Sequence, residues 1–569
     1  MPTMEIKPNS PPLDGEPALS GPRRVTRQLI ELLICLGVAV TLFRTFEVEG
    51  YMISTGSMAP GLLGYHKRVT CPTCDYEFSH GVSLDAPQPN ATPVTAVPML
   101  TDCPNCGQNH IDISQVPRNQ GDQLLVNKHA FQLHAPRRWE VVVFKNPQKA
   151  TQVYVKRIVG LPSEAVQVID GDVFIDNQRT RKTMAQQRAI RIPVYDHDFE
   201  PRNDTEWRAR WSADSESSWQ RDGQGFSFQA KPTRSVVPSP TTPDWLNYRH
   251  WRREGGNHRT TVALQVAPHE LDQKLLAATI GQPLDDAHRR SPVSWDRSRR
   301  KLICKGVMDQ RWHDKLLTLS MDAEYQQAVR DLYEQSQLGH ISSSNSYNSQ
   351  THLMPSVAMR DVMLSLNISL KQITGQLAVR FNDMPRRYTC LLDFDQSQVM
   401  LLSDDQHEPL QQYALPAPAR DNRYLLEVSL FDRQVAVALD GQDLLPHLDL
   451  PKADANRPPA KVPMQIGAIG LKARIDRIQT FRDVYYTRGK AINGIDRPHV
   501  LGKDEYFMLG DNSSVSADSR NWPQGSVHKR LLVGKPFVVH LPSRPGKLRI
   551  GHSWTHFRIP DFSRVRYIR

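Results

Sequence analysis

Cysteine is scarce in this chain, at 7 of 569 residues, and 4 of those fall in two Cys-x-x-Cys pairs, so the protein is not a disulfide scaffold. Long apolar runs are scarcer still. Only Leu29–Phe46 has the makings of one, which leaves no room for a polytopic membrane protein. No helix-turn-helix or RNA-binding signature accompanies the surplus of 71 Lys+Arg over 60 Asp+Glu. The net charge of +11 therefore reads as a solvated basic surface or one facing anionic lipid, and nucleic acid is not expected as a partner. Sustained helical periodicity is also lacking, while 42 prolines and 31 glycines argue for many loops and short strands. The chain is too long for one core and is expected to hold about two to four domains.

Residues 1–28 are polar and Pro-rich, an expected disordered tail that closes on Arg23, Arg24 and Arg27. The apolar run from Leu29 to Phe46 follows, interrupted by Glu31 and Arg44 near its ends, where charges can snorkel toward headgroups. Its 18 residues lie at the short end of what spans a bilayer. A cleaved signal peptide is the competing reading, but the preceding basic segment is long and no Ala-x-Ala site follows. Arginines before the run and Glu47 and Glu49 after it put the N-terminus in the cytoplasm and the remainder outside.

The run Ile53-Ser54-Thr55-Gly56-Ser57-Met58-Ala59-Pro60 carries the candidate nucleophile, Ser57. Gly56, without a Cβ, is expected to let an extended substrate approach and to free the backbone that aims the hydroxyl. Fully extended, the chain from Phe46 to Ser57 reaches at most roughly 37 Å, which keeps the serine near the outer membrane surface. A serine needs a base that is unprotonated at working pH. None of the 20 histidines lies in the strand-like blocks around Ser57 apart from His66. A lysine can serve if desolvation lowers its pKa, and Lys156, inside the apolar stretch Tyr154–Val159, fits that need.

Cys71-Pro-Thr-Cys74 and Cys103-Pro-Asn-Cys106-Gly107 have the spacing of a structural zinc site with four thiolates, within an insertion at about 70–110. Two disulfides are the alternative in an extracytoplasmic segment. Four cysteines would leave no open position for catalysis by the metal. The redox states of Cys304 and Cys390 stay open.

Strand patterns recur at Gln123–Asn127, Glu140–Lys145 and Tyr154–Gly160, and at a hairpin of Val166–Ile169 and Val173–Ile175 around Asp170-Gly171-Asp172. Residues 181–340 carry little pattern. Ser342–Ser349 reads as a linker, and 341–488 as a β-sandwich, with Leu426, Val428 and Leu430 facing one way and Glu427 and Ser429 the other.

Three blocks in combination resemble the bacterial type I signal peptidases, membrane-bound serine proteases that remove signal peptides. They are Thr55–Pro60, Tyr154-Val155-Lys156-Arg157-Ile158-Val159-Gly160-Leu161-Pro162, and Gly510-Asp511-Asn512 through Ser516, Asp518 and Arg520. Arg138–Lys145 is similar to a further block, with Trp139-Glu140 where Gly-Asp is typical. The resemblance implies a Ser57 nucleophile, a Lys156 general base, and Ser516 orienting the lysine amine. It also implies that Asp518 and Arg520 pair to hold the turn, and that Thr55 with the Ser57 N–H forms an oxyanion hole. It implies hydrolysis after small residues of secretory preproteins, with no cofactor for catalysis, at the outer face of a bacterial cytoplasmic membrane beside the lipid bilayer and the secretion translocon. The expected architecture is mainly β: an antiparallel signal-peptidase-like domain from residues 47–180 and 489–569 after one transmembrane helix, with the zinc-knuckle and sandwich insertions. The other class to weigh is a membrane-tethered scaffold on an inactive peptidase core, against which stand intact Ser57 and Lys156.

Overall fold

The computed structural model describes residues 22–568 apart from 84–98, 205–206, 231–241, 254–258, 266, 280–291, 349–355, 418–421, 454–456 and 551–552. The expected tail at 1–28 thus lies mostly outside the described residues. A helix covers Pro22–Phe46, beginning earlier than the apolar run, and exposes Leu29, Ile30, Leu32, Leu33, Ile34 and Leu36. Among the described residues no helix is long and apolar enough to cross a membrane. The expected span over Leu29–Phe46 is therefore present as a helix without qualifying as a crossing. Its apolar stretch is short and carries Glu31 and Arg44, and its first turns are basic.

The β-branched runs form the sheet that carries the candidate site. Its strands run Val48–Met52, Gln123–Asn127, Leu532–Val539, Val141–Lys145, Val153–Gly160, Glu505–Leu509 and Val527–His528, with Arg566–Tyr567 paired to Leu532–Val539. Neighbours are antiparallel throughout, so residues from both ends of the chain interleave in one sheet. Its two faces close on separate apolar clusters. One holds Met58, Leu124, Val126, Val141 and Val143; the other holds Val142, Phe144, Ile158, Met508 and Trp522. Alternation along Val141–Phe144 feeds both, as a sheet buried on each side requires. A second, four-stranded sheet contains the hairpin Ala165–Ile169 and Asp172–Ile175, whose turn holds Asp170 and Gly171 at φ 51° and 89°. Glycine fits that left-handed turn position, and aspartate tolerates it.

The large insertion is a two-sheet sandwich. Val362–Gln372, Arg423–Phe431, Gln434–Leu439 and Lys472–Arg482 belong to one sheet, and Gln376–Asp383, Arg386–Asp393, Gln398–Ser403 and Met464–Ile469 to the other. Leu364, Leu366, Ile368, Leu426 and Val428 meet Leu377, Val379 and Phe381 between them. The sandwich does not begin at 341. Ile192–Asp196 and Gly225–Gln229 pair with Lys472–Arg482, and Asp244–Tyr248 pairs with Met464–Ile469. These strands are set between irregular, Trp- and Arg-rich segments, so their alternation is hard to read in sequence. From 259 to 337 a separate small unit packs the sheet Arg259–Ala263, Lys301–Lys305, Val293–Asp296 against three helices, Leu271–Thr279, Gln310–Leu317 and Ala323–Gln337, around Leu302, Trp312, Tyr325 and Leu332. Cys304 is buried there and Cys390 in the sandwich; both are free thiols.

Glu427 and Ser429, expected on an outward face, are buried. The helix Met184–Ile190 covers that face: Arg191 pairs with Glu427 at 2.9 Å and Ser429 Oγ donates to Gln187 Oε1 at 2.5 Å. Lys182 joins Asp432 and Asp483 at 2.6 and 2.7 Å and lies 4.8 Å over the Trp139 ring of the peptidase-like unit. The two units thus meet through this cation–ring contact and an apolar cluster that joins Trp139 and Val159 to Ile190, Ile192 and Val484.

Candidate active site

Ser57 sits in a tight turn in which the Ala59 N–H donates to Gly56 O at 3.1 Å and the Leu62 N–H to Met58 O at 2.9 Å. Met58, Ala59, Leu62 and Leu63 are buried and hold the turn on the sheet. Lys156 reaches it from the strand Val153–Gly160, with Nζ 2.6 Å from Ser57 Oγ and 3.2 Å from the Val155 carbonyl. Both side chains are nearly inaccessible, at 8% for Ser57 and 3% for Lys156. Burial lowers the Lys156 pKa to about 8, while Asp518 and Asp511 oppose the shift and Arg520 adds to it. Desolvation disfavours the ammonium, and among the described residues no carboxylate pairs with it, so the amine is partly neutral near neutral pH. His66, the histidine nearest in sequence, is buried, hydrogen-bonded to Gly64 O at 2.8 Å and pushed down to about 4.

The block at 510–520 forms the wall behind the serine. Asp518 and Arg520 make a buried bidentate pair, Nε to Oδ1 at 2.9 Å and Nη2 to Oδ2 at 2.8 Å. Arg520 also donates to Ser513 O at 3.0 Å, and the Gly510 N–H donates to Asp518 Oδ2 at 3.1 Å. Ser516 lies beside Gly510, where an added Cβ would come within 2.3 Å of Ser516 Oγ and 2.5 Å of Ser57 O. The Ser516 hydroxyl is buried and has no hydrogen-bond partner, so the expected contact with the Lys156 amine is not made here. Thr55 is exposed beside Ser57, with its side chain open to an incoming group.

Two features carry more than the sequence suggested. Arg157, next to the candidate base, forms a buried bidentate pair with Asp511 at 2.8 and 2.6 Å and donates to Trp139 O at 2.6 Å. Trp139 itself holds φ 71°. That left-handed conformation favours glycine, which matches the glycine typical of the resembling block. Gly56 serves differently from expectation. Its φ is not in the left-handed region, and a Cβ there would sit 2.1 Å from Cε1 of Tyr347, so the missing side chain makes room for a ring of this chain rather than for substrate. Tyr347 and its neighbours were read as linker because Ser and Asn in series have no apolar periodicity. The signal available is the pair of amides at Asn345 and Asn348, three residues apart and flanking Tyr347.

Cys71, Cys74, Cys103 and Cys106 converge, all buried, with their sulfurs within 4.8 Å of one another. Cys71 and Cys106 Sγ are 3.6 Å apart and Cys74 and Cys103 Sγ 3.7 Å. A tetrahedron of metal–sulfur bonds of about 2.3 Å has edges of about 3.8 Å, whereas a disulfide needs about 2.05 Å. All four are free thiols, so the geometry fits one metal ion and not two disulfides. Each pair turns back on itself, with Asp75 N–H donating to Cys71 O and Gly107 N–H to Cys103 O, both at 3.0 Å. The module is tied to the insertion, since Asn105 Nδ2 donates to Phe199 O at 2.8 Å and Asn105 Oδ1 accepts from the Asp196 N–H at 2.7 Å.

The family model for signal peptidase, peptidase S26, matches residues 114–218 and 459–541, less than half of the chain. Lys156 and the 510–520 block fall inside the match and Ser57 outside it. Signal peptidase I of Leptolyngbya laminosa is 34% identical over 73 residues, 11% of this chain and 36% of that protein. Probable signal peptidase I-2 of a Synechocystis strain is 36% identical over 82 residues, covering 13% and 35%. Signal peptidase I V of Bacillus subtilis is 32% identical over 60 residues, covering 10% and 34%. The chain thus matches only about a third of the length of these curated relatives. Solved structures similar to part of the chain include a carbohydrate-binding module from Bacillus subtilis, at 15% identity and a TM-score of 0.17, covering 21% of this chain and 74% of that one. A galectin from Caenorhabditis elegans scores 0.16 at 12% identity, covering 21% and 81%.

Proposed function

From a chain that resembles the type I signal peptidases, we propose an endopeptidase that removes N-terminal signal peptides from secretory preproteins, with Ser57 as nucleophile and Lys156 as general base. The observation that carries it is the 2.6 Å approach of Lys156 Nζ to Ser57 Oγ in a buried setting that lowers the amine to about 8. The neutral amine accepts the Ser57 proton as Oγ attacks the scissile carbonyl. The oxyanion then meets the Ser57 N–H and the exposed Thr55 hydroxyl. Lys156 returns the proton to the leaving amine, and water, activated by the same amine, hydrolyses the acyl-enzyme. Ser516, whose hydroxyl has no partner among the described residues, is the group that orients the amine.

Zinc held by Cys71, Cys74, Cys103 and Cys106 has a structural part alone, since four thiolates close its coordination. The helix Pro22–Phe46 attaches the enzyme to the bacterial cytoplasmic membrane with the N-terminus inside. The exposed Leu29, Ile30, Leu32 and Leu33, which suit an apolar medium, support that reading, as does the arginine bias before them. Reporter fusions after residues 25 and 120 should then report opposite sides; same-side signals would refute the topology. The activity is tested by incubating the full chain with a labelled preprotein and sequencing the new N-terminus. Cleavage after a small residue by the native chain, absent in Ser57→Ala, supports the reading; no cleavage by either refutes it.

A further inference from the structure

We propose that the insertion segment Ser342–Asn348 is a positioning element of the active site, locking the peptide bonds on either side of Ser57 so that the Ser57 N–H points at the oxyanion. This deepens the peptidase reading and rests on it. The segment leaves the sandwich under the buried Arg482, whose guanidinium donates to Ser343 O at 2.9 Å and Ser344 O at 2.8 Å. It then crosses to the nucleophile turn. Asn345 Nδ2 donates to Ala59 O at 3.1 Å. The Tyr347 ring, buried, lies between Gly56 and Gly81, where an added Cβ would come within 2.1 and 2.2 Å of it. Its hydroxyl donates to Tyr65 O at 2.8 Å and its carbonyl accepts from the Gly81 N–H at 2.6 Å. One ring thereby braces the turn against the hairpin that ends at Gly81.

Asn348 acts at the catalytic serine through one intermediary. Its amide and that of Asn512 bond reciprocally, at 2.9 Å and 2.6 Å. Asn512 Nδ2 donates to Gly56 O at 2.9 Å, and the Asn512 N–H donates to Ser57 O at 3.0 Å. A trans peptide is planar, so fixing the Gly56 carbonyl fixes the Ser57 N–H on the opposite side of the same bond. The Gly56 carbonyl only accepts and so selects the Asn512 NH2, and Asn348 holds that amide in place, its Oδ1 accepting from the Asn512 NH2 and its own NH2 donating to Asn512 Oδ1. Asn348 also donates to Ser514 Oγ at 3.0 Å, a further anchor for its side chain. Without Asn348, the Asn512 amide loses both bonds of the reciprocal pair and is free to swing away from the Gly56 carbonyl. The base lies outside this chain of contacts, since Lys156 bonds Ser57 Oγ and Val155 O.

The experiment measures steady-state processing of a preprotein by the full chain and by Asn348→Ala, Asn512→Ala, their double variant and Tyr347→Phe. Asn348→Ala should lower kcat about 10- to 100-fold, the scale of a misaligned rather than deleted oxyanion donor, with KM within about twofold. The pH midpoint of kcat/KM should stay near its native position, because the lysine is untouched. In the Asn512→Ala background the Asn348 change should cost less than about threefold, since its intermediary is gone. Tyr347→Phe, which keeps the ring but loses the bond to Tyr65 O, should lower kcat less than Asn348→Ala does, and a larger loss would overturn the proposal. Equal native and Asn348→Ala rates, a shifted pH midpoint, or additive losses in the double variant would each overturn the proposal. Native cleavage with unaffected variants would refute the positioning role alone, whereas a native chain without cleavage would refute the peptidase reading beneath it.

Discussion

Replacing Lys156 by methionine should make the protein more stable at neutral pH, and the gain should vanish in alkali. The amine is 3% exposed and titrates near 8, against 10.5 for an unburied lysine. A folded-state pKa lowered by that much means the native state binds fewer protons than the unfolded chain between about pH 8 and 10.5, so stability rises with pH across that window. At pH 7, below both values, the whole penalty is present, about 3 kcal/mol at 1.36 kcal/mol per unit. It falls to about 2 kcal/mol at pH 9 and under about 0.5 kcal/mol at pH 10.5. Methionine is similar in length and carries no charge, but forfeits the contacts to Ser57 Oγ and Val155 O, each about 1 kcal/mol. The net gain at pH 7 is therefore about 1–2 kcal/mol. The difference between the two chains should decline by about 3 kcal/mol from pH 7 to 10.5, because every other titrating group is common to both. Urea unfolding of the full chain and of Lys156→Met, followed by tryptophan fluorescence at pH 7, 9 and 10.5, reads this directly. A difference that does not change with pH would show that Lys156 is not held neutral by burial, and the basis for its use as a base would fall.

Thr55→Ala should lower the processing rate about 10²–10³-fold and Thr55→Ser should restore it, as measured by single-turnover cleavage. Asp511→Ala leaves the Arg157 guanidinium buried without its bidentate partner, and should cost about 3–5 kcal/mol in unfolding experiments. Ser516→Ala should leave stability within about 0.5 kcal/mol, because its hydroxyl donates to nothing in the folded chain, so a loss of turnover would report on the amine's orientation during catalysis. Metal analysis should find about one zinc per chain, and Cys71→Ser with Cys106→Ser should abolish it. Because Asn105 anchors the module to the insertion at Asp196 and Phe199, chelation should also raise amide exchange there; unchanged exchange would limit the module to its own local fold.

The catalytic sheet and the second, four-stranded sheet were legible because their strands carry β-branched runs bounded by turn residues, as at Val141–Phe144 in the first and the Asp170-Gly171 hairpin in the second. The four cysteines were legible from spacing alone. The strands at Ile192–Asp196, Gly225–Gln229 and Asp244–Tyr248, of the same five-residue length, were not. They owe their place to partners more than two hundred residues away, and a local pattern cannot show that. Tyr347 and Asn348 were hidden for a related reason: hydrogen-bonding side chains in a coil segment look the same whether they face water or a catalytic turn. Glu427 misled in the other direction, since strand alternation cannot reveal that a helix will cover the polar face and supply Arg188 and Arg191.

The most direct test of the account is the pH dependence of kcat/KM for preprotein cleavage, measured in parallel for the native chain and for Lys156→Arg. The native rate should rise with pH along a single limb with its midpoint near 8, where the buried amine loses its proton. Arginine keeps its charge throughout this range, so Lys156→Arg should be inactive at every pH. Native-like cleavage by Lys156→Arg, with the limb unmoved, would contradict the Ser57–Lys156 dyad.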